Sequence, residues 1–132
     1  HKLSQWLTYS ISDACLFCGF KVDNVNQLTG LPEYRNGGLF IDLGLFEPKD
    51  SQFLTMGITP EMPFTIEWRA MTVIWLDILA EKSQKKIGKT PEQFPLAKVL
   101  EGGSWWAGRK VASQKRAGGT SPINVVSDGT VF

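Results

Sequence analysis

From Phe64 to Leu79 the sequence reads FTIEWRAMTVIWLDIL, apolar on nearly every side of a helix. A helix with no wet face needs partners all round, so it belongs at the centre of a packed body. Thr59-Pro60-Glu61 supplies an N-cap followed by proline at the first helical position. Pro63 still lies in the first turn, where a missing N–H does no harm. The helix is therefore expected from Pro60 to Lys86. Glu67 sits badly in it, because Met71, Ile74 and Ile78 share its face at i+4, i+7 and i+11. A carboxylate facing that stripe is expected to be buried, raised in pKa by desolvation and bonded to an arginine or to backbone N–H groups. Such a group serves either packing or chemistry. Arg69 falls on another side, with Thr65, Thr72 and Leu76.

Other helices should pack around this one. Leu3, Trp6, Leu7, Ile11, Ala14, Cys15 and Cys18 recur at helical spacing, predicting a helix over 3–18 closed by Gly19. Its opposite face is polar yet uncharged, with Gln5, Thr8, Tyr9 and Ser12, which suits a pocket wall or an interface with a missing part of the protein. Pro32 opens a helix over 32–43, and Gly44 ends it. Gly37-Gly38 inside it costs about 1 kcal/mol per residue relative to Ala, which implies close approach of another helix or of a ligand. Thr90-Pro91-Glu92-Gln93 has the capping-box pattern. A short helix is expected over Leu96–Glu101, and a further one from Trp105 to about Arg116, capped by Ser104. Trp105, Trp106 and Arg109 form either an aromatic and cationic wall or a pair of anchors. The end, Ile123 to Phe132, reads as an extended tail that docks through Val131-Phe132. The expected fold class is all-α.

The 132 residues suffice for one core, and 42% hydrophobic with 20% charged residues excludes a disordered segment. The net charge of +1 is split: residues 1–81 hold 5 basic and 10 acidic residues, residues 82–116 hold 9 basic and 2 acidic. A local basic stretch is usually a solvated surface, and nucleic acid is not the expected partner. Cys15 and Cys18 provide two soft ligands where structural zinc takes four, so core thiols in a reducing, cytoplasmic setting are the reading. His1 is the only imidazole, which leaves carboxylates, arginines and neutral polar groups for any chemistry. No metal and no cofactor is expected. No apolar run reaches membrane-spanning length, and no signal peptide is visible. A chain starting on His rather than Met is expected to be a piece of something longer.

The strings HKLSQWLTYS, LTGLPEYRNGGLFIDLG, EWRAMTV, PLAKVLEGGSWWAGRK and SDGTVF resemble, in order, the C-terminal part of the uracil catabolism protein 4 family, a family of unknown function. A fainter similarity links Leu28, Thr29, Glu33, Tyr34, Arg35, Leu43 and Gly44, and later Glu67, Trp68 and Arg69, to the queuosine salvage N-glycosidases. Those proteins have an acidic-Tyr-Arg block with Asp where this chain has Glu33. The resemblance implies that residues 1–132 are the C-terminal portion of a single larger, DNA-glycosylase-like helical domain, partnered by its missing N-terminal part. It further implies hydrolysis of an N-ribosyl bond in a ribosylurea-type, nucleoside-derived substrate. Breaking that bond builds positive charge on the anomeric carbon, which a carboxylate stabilises while a second group handles a proton. Glu33, Glu67 and Asp42 are the catalytic candidates. Gln5, Tyr9, Ser12, Arg35, Arg69, Trp105 and Arg109 are the substrate-binding candidates. The alternative is a non-catalytic scaffold, expected to expose a large apolar patch.

Overall fold

The computed structural model describes residues 1–127. Five α-helices carry the fold: α1 (Lys2–Phe17), α2 (Tyr34–Asp42), α3 (Pro63–Ile87), α4 (Leu96–Val99) and α5 (Trp106–Lys115). The only sheet among the described residues is a parallel pair, β1 (Gly57–Ile58) with β2 (Asn124–Val125), Gly57 opposite Asn124. The expected all-α class holds. The end of the predicted tail, including Val131-Phe132, lies outside the described residues, but its first part is extended as β2 and buries Ile123 completely.

Local signals set the helix limits. α1 closes as read: Gly19 takes φ +83 just past Cys18, and Phe20 N–H donates to the Cys15 carbonyl at 2.9 Å. α2 starts later than expected, because Glu33, not a residue before Pro32, is its N-cap. α3 starts at Pro63 instead of Pro60; residues 60–62 turn beneath Thr59, whose carbonyl accepts from Thr65 Oγ1 at 2.7 Å. The Thr90–Gln93 box forms reciprocally, each backbone N–H donating to the other side chain, yet no helix follows because Pro95 intervenes. Leu96 onward is helical, but Leu100–Trp105 widens into a π-helical turn before α5.

The core is two apolar clusters strung along α3. Trp68 joins Ile58 and Ile123, while Leu76 joins Phe40 and Leu100. Phe46 touches both. Two turns of helix separate Trp68 from Leu76, so α3 is the beam on which both clusters hang. Glycines set how near the other helices come. A Cβ on Gly37 would meet Thr72 Oγ1 at 2.6 Å, and one on Gly108 would meet the Arg35 carbonyl oxygen at 2.3 Å. α2 is thus pressed against α3 on one side and α5 on the other. Gly38 faces Pro122, so both glycines of the pair serve protein packing.

Two expectations about faces are overturned. α3 is not buried all round: Thr65, Trp68, Thr72, Leu76 and Ala80 form one buried stripe, while Ile66, Met71 and Ile74 are exposed. Among the described residues nothing covers this outer side. On α1 the apolar stripe is bare, with Leu3, Trp6, Leu7 and Ile11 in solvent at 49–59% exposure, while Gln5, Tyr9 and Ser12 turn inward as their uncharged face suggested and Thr8 stays exposed. Cys15 is half-buried and Cys18 exposed, both as free thiols, so the pair does not form the core thiols expected.

Candidate functional site

The best-buried polar cluster forms where the loop before α2 meets α1 and the π-helical turn. Glu33, only 7% exposed, has extended backbone and caps α2: its Oε1 accepts from Asn36 N–H at 2.6 Å and its Oε2 from Arg35 N–H at 2.8 Å. Burial raises its pKa, and the two amides, Lys2 and Arg35 only partly oppose that. Asn36 is fully buried and donates Nδ2–H to the Leu31 carbonyl, while its Oδ1 accepts from Ser104 Oγ at 2.8 Å. Lys2 is buried as well and acts on Glu33 electrostatically. The cluster therefore holds an acid of raised pKa, fixed by two amides and acted on by a buried cation.

The inward face of α1 braces the loop that carries this acid. Gln5 Oε1 accepts from Thr29 N–H at 3.0 Å, Tyr9 OH donates to the Thr29 carbonyl at 3.1 Å, and His1 Nε2 lies 2.8 Å from Thr29 Oγ1. Burial, with Asp77 second, pushes the Tyr9 phenol up to about 12. Ser12 is buried and donates to the Thr8 carbonyl of its own helix at 2.7 Å. Gln5 and Tyr9 thus reach the loop before Glu33 and position it, whereas Ser12 bonds only within its own helix.

The other candidates scatter. Glu67 is exposed on the outer side of α3, contrary to the expected burial, because among the described residues nothing packs on the face it shares with Met71 and Ile74. Asp42 is buried at the far end of α2, where both its oxygens accept from Arg116 at 2.6 Å in a bidentate pair. Lys115 Nζ caps its backbone carbonyl. Arg35 does not converge with Glu33: its guanidinium donates to the Gly119 carbonyl and lies 4.7 Å from the Tyr34 ring centre. Arg69 is half-buried, its Nε without a hydrogen-bond partner. Trp105 and Trp106 meet edge-on at 5.9 Å, and the exposed Arg109 lies 5.0 Å over Trp105, so the aromatic and cationic grouping exists one residue from Ser104.

Three residues of the cluster were not among the sequence candidates. Asn36 carries a signal, its N3 spacing from Glu33, which the proline-based start of the helix concealed. Ser104, 68 residues from Asn36, carries none. Lys2 reads as an ordinary surface lysine. Away from the cluster, Tyr34 lines a groove of about 430 Å³ together with Thr120, Ser121, Ile123, Asn124, Val125 and Ser127.

Comparison with known proteins adds the family. Residues 1–132 match the family described as "Protein of unknown function (DUF1688)" from end to end. The chain belongs to this family. Among curated relatives, "Protein urg3" of Schizosaccharomyces pombe is 44% identical over 140 residues, and "Uracil catabolism protein 4" of Lachancea kluyveri is 39% identical over 150. Each alignment takes in 100% of this chain and 34% of the relative. The chain thus spans about a third of the length of the family members it matches. No solved structure matches it.

Proposed function

We propose that this chain is part of an enzyme of uracil catabolism that hydrolyses the N-ribosyl bond of a ribosylurea-type compound. The observation that carries the reading is Glu33: a nearly buried carboxylate of raised pKa, fixed by two backbone amides and set beside Lys2. The name of the 39%-identical relative supports the pathway. In the reaction the bond from the anomeric carbon to nitrogen breaks and water supplies hydroxide to that carbon. The proton goes to the leaving nitrogen, giving ribose and urea. Glu33 stabilises the cationic anomeric carbon at no cost in reorganisation, because its cap contacts already hold it. Gln5 and Tyr9 position its loop, and Trp105 with Arg109 offers a stacking surface nearby. A second acid-base group is needed. Glu67, turned outward, is available to a site completed by other parts of the polypeptide, whereas Asp42 is committed to Arg116.

The test is urea release from ribosylurea and its phosphate by the full-length protein. Glu33→Gln is expected to lower turnover at least about 100-fold, as loss of one preorganised electrostatic group does. A Glu33→Gln protein with full activity refutes the assignment. The scaffold reading is favoured by one observation, the exposed apolar side of α1. Absence of urea release from either substrate by well-folded full-length protein would select it.

A further inference from the structure

We infer that the outward apolar face of α1 (Leu3, Trp6, Leu7 and Ile11) is the seat of the remaining polypeptide of the full-length protein, which makes α1 an internal helix between two parts of one domain. An amphipathic helix at a true surface turns its apolar stripe to the core and its polar residues to water. α1 does the reverse, and the reversal is built into its contacts. Gln5 and Tyr9 hold both backbone groups of Thr29, and Ser12 is buried. The polar side is therefore already occupied. The other side offers four large apolar residues within three turns, each about half exposed, and exposed Leu16 and Phe17 at the helix end and Phe20 just past it add to the apolar surface. Only two charged residues lie in α1, Lys2, which is buried, and Asp13. A helix whose outer face carries a single exposed charge, Asp13, is poorly suited to water and better suited to a largely dry interface.

The occupant follows from the family relationship. Both relatives carry about two thirds of their length outside the region this chain matches. A 100%-covered segment whose core leaves this stripe bare has, in those proteins, a large covalently attached neighbour at high effective concentration. The outer stripe of α3, with Ile66, Met71 and Ile74, is a second bare apolar face of the same kind. The inference is independent of the glycosidase reading, since it concerns what covers α1 and not what the protein cleaves.

The test uses the full-length protein. Carbene footprinting of the folded wild type should label Leu3, Trp6, Leu7 and Ile11 at least about 10-fold less than the same full-length protein unfolded in urea, in a protein that sediments as a monomer. Leu7→Glu/Ile11→Glu in full-length protein should lower the Tm and admit trypsin between the matched third and the rest, still as a monomer. Undiminished labelling of the four residues in the full-length protein overturns the inference. So does a wild-type dimer that Leu7→Glu/Ile11→Glu converts to monomer, which would make a second copy the occupant. If the variant fails to fold, the wild-type footprint and sedimentation decide alone.

Discussion

Glu33 shows how one side chain does two things that pull its chemistry apart. As N-cap of α2 it is drawn toward the anion, because amide donors favour that form; burial pulls the other way and outweighs them, so its pKa is raised. The pH consequence has a definite sign. Below the ordinary value of 4.5 the group is protonated in both folded and unfolded chains, and its contribution to stability is fully present. As pH rises the unfolded chain releases its proton first, so that contribution is lost as pH climbs toward and through the raised folded value. Urea-denaturation midpoints between pH 4 and 7 should show a descending component, and Glu33→Gln should flatten it. An equal slope in the variant would contradict the buried state of this carboxylate. The glutamine keeps one acceptor oxygen but presents an NH₂ to the second amide, so about 1 kcal/mol of cap energy should also be lost. Asp42 behaves differently. Its side chain is 4% exposed and depends on Arg116, so Arg116→Ala should destabilise by about 2–3 kcal/mol in thermal unfolding. Replacing both with leucine should recover much of that, as buried pairs exchanged for apolar residues commonly do.

At the level of elements, glycines decide which helices can touch. Gly108→Ala drives a methyl into the Arg35 backbone carbonyl at 2.3 Å, which no rotamer can relieve. It should cost about 3 kcal/mol or more in chemical denaturation, despite alanine's better helix propensity. Gly37→Ala meets Thr72 Oγ1 and the Trp68 ring, side-chain atoms that can yield, so a smaller loss of about 1–2 kcal/mol is expected. Gly102 and Gly103 in the π-helical turn meet nothing within 4 Å. Gly102→Ala should therefore leave stability unchanged or raise it by up to about 1 kcal/mol. If it instead lowers activity at unchanged stability, the open space over that turn belongs to a ligand.

For the molecule as a whole, α1 and α3 each leave several large apolar side chains bare. Apolar area of that extent is a liability in water. The 132-residue chain alone is expected to bind the dye ANS and to self-associate with concentration in sedimentation, while the full-length protein does neither. Equal dye binding by both would mean that nothing covers these faces. The sequence by itself determined the all-α class, the family and most helix limits, because caps, prolines and terminal glycines such as Gly19 and Gly44 act on the few residues beside them. It also determined that α1 has one polar uncharged face and one apolar face. That the apolar face stays bare was decided only by tertiary structure. Thr29 offers backbone groups that Gln5 and Tyr9 satisfy, while among the described residues nothing covers Leu3, Trp6, Leu7 and Ile11. The same reason put Glu67 in solvent and brought Ser104 to Asn36 across 68 residues. Helix formation is settled by neighbours in sequence, whereas burial depends on which surfaces arrive from elsewhere, and no periodicity records that.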